Sequence, residues 1–197
     1  MRQLRFEHQI RRLELLACTR QIPQNDRYLE TYPELLGSIQ ALLPLDRSKL
    51  ILVAHAVFGW MPTQIRIDMQ KINTALDDIN SILQGADASV DNITLLASTF
   101  QTINGNSVVA ASKILHFLDP ANYPIWDGKV AKVWKRPPNG TRAANNYHEF
   151  TQACRQFMKN ETAQQTCQAM RGRLATAGYS YHMEDMRLIE LMLFLPP

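Results

Sequence analysis

Apolar residues recur at three- and four-residue spacing along almost the whole chain, and the strict alternation of a half-buried strand is nearly absent. Residues 4 to 18 carry Leu4, Ile10, Leu13, Leu15 and Leu16 among charges, which predicts a first helix. Asn25 or Asp26 can cap a second helix through Leu43, with Pro33 expected to break it. Asp46 can cap the most apolar segment, LILVAHAVFGW, and Trp60 to Thr63 read as a break. A helix follows over 67 to 83, stopped at Gly85, and Asp91 can cap another that runs to about Ile103. Asn104-Gly105-Asn106-Ser107 reads as a tight polar turn, and Val108 to Leu118 as a helix ended by Asp119-Pro120. Pro124 biases Tyr123 away from helical geometry, and Asp127 can cap GKVAKVW. Residues 136 to 146 read as a surface loop. Three further helices are predicted, around 147 to 159, 161 to 176 and 183 to 194.

The pattern predicts an all-α globule of about nine or ten helices. With 197 residues, 46% of them apolar and 20% charged, one core suffices, with room for two closely joined lobes. The formal charge of +3 is too small to name a partner by itself. Cys18, Cys154 and Cys167 form no CxxC pair, and His148, His182 and Glu184 lack HExxH-like spacing. No metal site, disulfide framework or cofactor is therefore expected. The N-terminus is charged and amphipathic, unlike a signal peptide. The longest apolar run, LILVAHAVFGWM, is shorter than the roughly 20 residues of a membrane span. These features predict a cytoplasmic, monomeric protein that does not engage a membrane.

Residues 91 to 135 hold the densest chemistry. A Gly-containing turn between two helices exposes backbone N–H groups where the second helix starts, and such donors bind phosphate without reading sequence. Asn104, Gly105, Asn106 and Ser107 would supply that turn. An Asp at the head of the next helix is oriented by capping, and Asp127 stands there. Five basic residues and no acid lie between Gly128 and His148. Among them Lys129, Lys132, Lys135 and Arg136 would add salt-dependent affinity for a nucleic-acid backbone. Arg171 and Arg173 could extend the patch.

Ile103 to Trp134, INGNSVVAASKILHFLDPANYPIWDGKVAKVW, resembles the helix-hairpin-helix DNA glycosylase superfamily. The stretch is also similar to small bacterial proteins with an SK-LHF-L-P---PIWD pattern, a likeness that implies no activity. The glycosylase resemblance implies an all-α fold, DNA as partner and excision of a modified or damaged base. It puts Asn104-Gly105-Asn106 at the hairpin, Pro124 at the connector and Asp127 at the catalytic Asp. Family members with lyase activity carry a Schiff-base Lys in the first turn after the hairpin, where this chain has Val108. The nearest amine is Lys113, so an intact abasic strand is expected.

Breaking an N-glycosidic bond builds positive charge on the sugar, which a carboxylate such as Asp127 stabilises. The base must also leave the stack and enter an aromatic pocket. Trp60, Tyr123, Trp126, Tyr179 and Tyr181 are candidates for pocket or wedge, since they stand at breaks or loops, and His116 follows Lys113 by three. Each has a plainer reading: Asp127 as a cap, Lys113 as a solvated amine, His116 as a hydrogen-bonded core residue. Met183, Met186 and Met192 read as core. Two other functions stay open, a non-catalytic DNA-binding module and an all-α interaction partner in a defence or toxin–antitoxin system. The glycosylase itself could serve repair or defence against phage with modified DNA.

Overall fold

The computed structural model describes residues 2–60 and 64–197, with side chains from residue 11 onward. Ten helices occupy most of them: α1 (Arg2–Thr19), α2 (Arg27–Gln40), α3 (Arg47–Trp60), α4 (Ile72–Leu83), α5 (Val90–Thr99), α6 (Val108–Leu118), α7 (Gly128–Trp134), α8 (Ala143–Met158), α9 (Glu161–Thr176) and α10 (Asp185–Phe194). The all-α expectation holds, and several helices start at side-chain caps, whereas α4, α8 and α10 start without one. Asp26 Oδ1 accepts from Tyr28 N at 2.9 Å and Leu29 N at 3.0 Å. Asp46 Oδ1 accepts from Lys49 N at 2.9 Å. Ser89 and Asn92, not Asp91, form the reciprocal cap of α5. The expected break at Trp60 to Thr63 involves Met61, Pro62 and Thr63, which lie outside the described residues.

Pro33 does not break α2, and the reason is visible. A proline leaves the carbonyl four residues earlier without its N–H donor. That carbonyl belongs to Leu29, and the Tyr181 hydroxyl donates to it at 2.7 Å. A remote side chain thus makes the bond the helix lacks.

Helix α4 starts at Ile72 rather than 67 and α8 at Ala143, inside the expected loop, and a larger departure lies between α5 and α6. Helix α5 ends at Thr99 rather than near Ile103, and a small antiparallel sheet follows. It comprises β1 (Arg66–Ile67), β2 (Phe100–Thr102) and β3 (Gly105–Asn106), paired in that order, with Ile67 opposite Phe100 and Gln101 opposite Asn106. The expected polar turn is therefore a strand hairpin turning at Ile103–Asn104, and Gly105 supplies its left-handed φ of 96°. Strands of two or three residues are too short to show alternation in sequence.

Two helices form the centre. α6 is packed by α2, α3, α5 and α8, and α10 by α1, α7, α8 and α9. One apolar cluster runs through both groups. Between Met186 and Leu193 every residue of α10 is buried, including Arg187 and Glu190.

Candidate active site

The connector from α6 to α7 is fixed by side chains of α6. Trp126 N donates to Ser112 Oγ at 3.0 Å. His116 Nδ1 lies 2.7 Å from the Tyr123 carbonyl, and the Tyr147 hydroxyl donates to the Pro124 carbonyl at 3.1 Å. These bonds deliver Asp127 to the head of α7, where its Oδ1 accepts from Lys129 N at 2.8 Å and Val130 N at 2.9 Å. Among the described residues, Oδ2 has no hydrogen-bond partner. One oxygen holds the helix and the other is free to act.

Asp127 opens onto a cavity of about 230 Å³. Lys113 from α6, Lys129 from α7, and Arg187 and Glu190 from α10 share its wall with Tyr28, Trp60, Ile125 and Phe194. The aromatic wall is braced: the Trp60 ring meets Tyr28 and Phe117 edge-on at 5.3 and 5.2 Å, and its Nε1 donates to Thr31 Oγ1 at 3.1 Å. Lys113 Nζ stands 6.0 Å from the Trp60 ring centroid and Lys129 Nζ 4.2 Å from that of Phe194.

Desolvation dominates the electrostatics. Burial lowers the Lys113 pKa below its ordinary value, while Asp127 and Glu190 pull the other way. Burial raises the Glu190 carboxyl to about 7 against the opposing pull of Arg187, whose guanidinium donates to it. Arg187 also lies over the Tyr32 ring, 4.8 Å from its centroid.

Several candidates lie elsewhere, and their roles are corrected accordingly. His116 is fully enclosed, with Nε2 2.9 Å from the Tyr32 hydroxyl, and burial drops its pKa to about 3. Trp126 is 0% exposed and its ring packs 5.1 Å from Phe150. Tyr123 is buried, and its hydroxyl accepts from Ala88 N at 3.1 Å. None of the three lines the cavity, because the connector turns its aromatics inward. Of the first-named aromatic candidates, Trp60 does. Tyr179 and Tyr181 tie down the chain at Pro23 and Leu29. Arg171 is paired with Asp185 at 2.8 Å, and Arg173 donates to the carbonyls of Ala17 and Arg20, so neither extends a free basic patch.

The expected DNA-contacting surface is open. Asn104, Asn106, Lys129, Lys132, Lys135 and Arg136 are exposed. Ser107 is instead buried as the cap of α6, accepting from Ala110 N at 3.2 Å. Thr102 to Asn104 and Asn106 border a groove of about 710 Å³ whose far side is Asn139 and Gly140. Lys129 belongs to both the basic run and the cavity.

Arg187 and Glu190 are the residues that the sequence reading missed, with Tyr28 and Phe194. Their signal was two opposite charges three apart inside the otherwise apolar run MRLIELMLFL. Among the described residues, no cluster of three or more His, Cys, Asp or Glu could hold a metal ion. No described helix is long and apolar enough to cross a membrane. Comparisons with models of protein families, with curated proteins and with solved structures find no match.

Proposed function

We propose that the protein is a DNA glycosylase that excises a modified or damaged base, for repair or for defence against phage with modified DNA. One observation carries this reading: Asp127 and Lys113 converge on a cavity walled by Trp60, Tyr28 and Phe194. Its volume of about 230 Å³ lies below the roughly 300–1,000 Å³ of sites for drug-sized ligands, which suits one flipped base. Asp127 Oδ2 faces the sugar and stabilises the positive charge that develops as the base departs. The exposed Lys132, Lys135 and Arg136, with the Asn104–Asn106 hairpin, hold the phosphates.

Asp127→Asn keeps the cap, since Asn caps helices about as well as Asp, so stability changes by less than roughly 1 kcal/mol. Excision falls on the order of a hundredfold or more as the charge is lost. Single-turnover excision on duplexes that each carry one modified base measures it. Wild-type rates in Asp127→Asn would remove Asp127 from the chemistry. No excision from any duplex, with intact DNA binding in a gel shift, would favour the non-catalytic module. No DNA binding at all would favour the interaction partner.

The burial of Lys113 supports a second route from the same cavity. A desolvated amine of lowered pKa is a competent nucleophile. If Lys113 attacks the sugar, borohydride traps a covalent adduct that disappears in Lys113→Ala. If water attacks, no adduct forms and the abasic strand stays intact until treated with alkali.

A further inference from the structure

Glu190 and Arg187 have no part in the steps above, yet they are among the most enclosed charges in the molecule. Their side chains are 1% and 3% exposed, and Arg187 Nη1 donates to Glu190 Oε2. Among the described residues, the buried Arg187 Nε has no hydrogen-bond partner. An ion pair so deep adds little stability, because desolvation offsets the attraction, and apolar side chains of similar volume do as well. Every other residue between Met186 and Leu193 is apolar, so the packing of α10 calls for neither charge. Both side chains line the cavity that holds Asp127 and Lys113.

The groups around Glu190 come from five helices. Arg187 shares α10, Asp127 faces it from α7, Lys113 from α6, Tyr32 from α2 and Cys154 from α8. Burial and Asp127 favour the neutral acid, whereas Arg187 and Lys113 favour the anion. The balance lies near neutrality, so this carboxyl can both give and regain a proton at physiological pH. Asp127 differs, with one oxygen bonded to two backbone N–H groups. Glu190 and Asp127 thus stand in unlike environments within one cavity, one enclosed beside Arg187 and the other at the head of a helix.

We propose that Glu190 is the catalytic acid that protonates the departing base, with Arg187 as its positioning residue. The proposal rests on the glycosylase reading and narrows its substrate class to bases that are neutral in DNA. The Glu190 proton moves to a ring nitrogen or carbonyl oxygen of the flipped base. The C1′–N bond then breaks, its electron pair goes to the base, and the base leaves uncharged. The sugar cation faces Asp127. A water oxygen bonds to C1′, and the proton it sheds returns to the Glu190 carboxylate. Attack by Lys113 in place of water leaves the first two steps unchanged.

The test compares two duplexes that differ in one base. One carries hypoxanthine, uracil or 8-oxoguanine, whichever the wild type excises fastest. The other carries N7-methylguanine, which already bears a positive charge and needs no proton to leave. Single-turnover excision by the full chain is followed from about pH 5 to about pH 9. The wild-type rate on the neutral base should fall about tenfold per pH unit above about 7, with no such limb on N7-methylguanine. Glu190→Gln should abolish the limb and slow the neutral base about a hundredfold more than it slows N7-methylguanine, which loses only the acceptor of the water proton. Glu190→Asp should recover part of the neutral-base rate and its limb. Thermal melting of each variant reports whether it folds, and the wild-type comparison of the two bases needs no variant.

A neutral base excised with no basic limb would overturn the proposal, as would Glu190→Gln acting with wild-type rate and pH profile. Either outcome leaves the glycosylase reading standing. Failure to excise any base at any pH would remove that reading, and the Glu190 assignment with it.

Discussion

Lys113 and His116 stand one turn apart on α6 and end in opposite settings. Burial pushes both toward their uncharged forms. His116 is sealed between α2 and the connector, and both ring nitrogens are engaged. The Tyr123 carbonyl can only accept, so Nδ1 carries the proton and Nε2 accepts from the Tyr32 hydroxyl. Lys113 instead enters the cavity, where Asp127 and Glu190 counter its desolvation. The same physical cause, burial, thus lowers the pKa of a group at an open cavity and of one in a closed network, and only the first has room for a ligand.

The largest change expected in stability is on the sealed side. His116→Ala removes the ring and strands the Tyr32 hydroxyl and the Tyr123 carbonyl in the core. The cost should be on the order of 3 kcal/mol, combining a cavity with two unpartnered polar groups. Lys113→Met fills similar space and removes a desolvated charge, so stability should hold or rise, and on the glycosylase reading excision fails only if Lys113 is the nucleophile. Urea unfolding of both variants checks the contrast. Equal losses of stability would erase the distinction between the two faces of α6.

The next effect is smaller and depends on pH. The folded-state pKa of His116 lies below its ordinary 6.5, at about 3, so the unfolded chain binds the proton first as pH falls. His116 therefore supplies stability above pH 6.5 that is lost as pH drops toward 3. Glu190 is raised from 4.5 to about 7, so its contribution is full below 4.5 and is lost as pH rises through 7. Between 4.5 and 6.5 the two slopes oppose, each at up to about 1.4 kcal/mol per pH unit, and wild-type stability should be nearly flat. In Glu190→Gln, stability should climb with pH across that window. Chemical denaturation at successive pH values measures the slope, and a variant as flat as wild type would show that the two groups are not opposed.

The helices were legible in the sequence because Asp26, Asp46 and Asp127 are local signals read by neighbouring N–H groups. Asp127 and Lys113 were legible as candidates for the same reason: one heads a helix, and the other stands in the second turn of the preceding one. What stayed hidden depends on distant chain. The intact α2 needs Tyr181, some 150 residues away, and β2 needs β1 across α4 and α5. Tyr123 and Trp126 stand at a break in the chain, yet α6 and α8 close over them. Arg187 and Glu190 resemble an ordinary i,i+3 surface pair until the burial of α10 is known.

The smallest effect separates the cavity from the surface beside it. Lys129 and Lys132 are three apart on α7, and both are exposed. Lys129 lies over Phe194 at the cavity, whereas Lys132 is not among the cavity-lining residues. On the glycosylase reading, Lys132 contributes one phosphate contact and no chemistry. Lys132→Gln should then lower affinity equally for all sequences and reduce the slope of log affinity against log salt by about 0.9. Its single-turnover excision rate should match wild type. Lys129→Gln should lower the same slope and also slow excision, because its amine reaches the chamber where the base is held. Salt titrations by fluorescence anisotropy, with excision under saturating enzyme, read the two quantities separately. A Lys129 variant that behaved as the Lys132 variant does would place the border of the active site between Lys129 and Asp127.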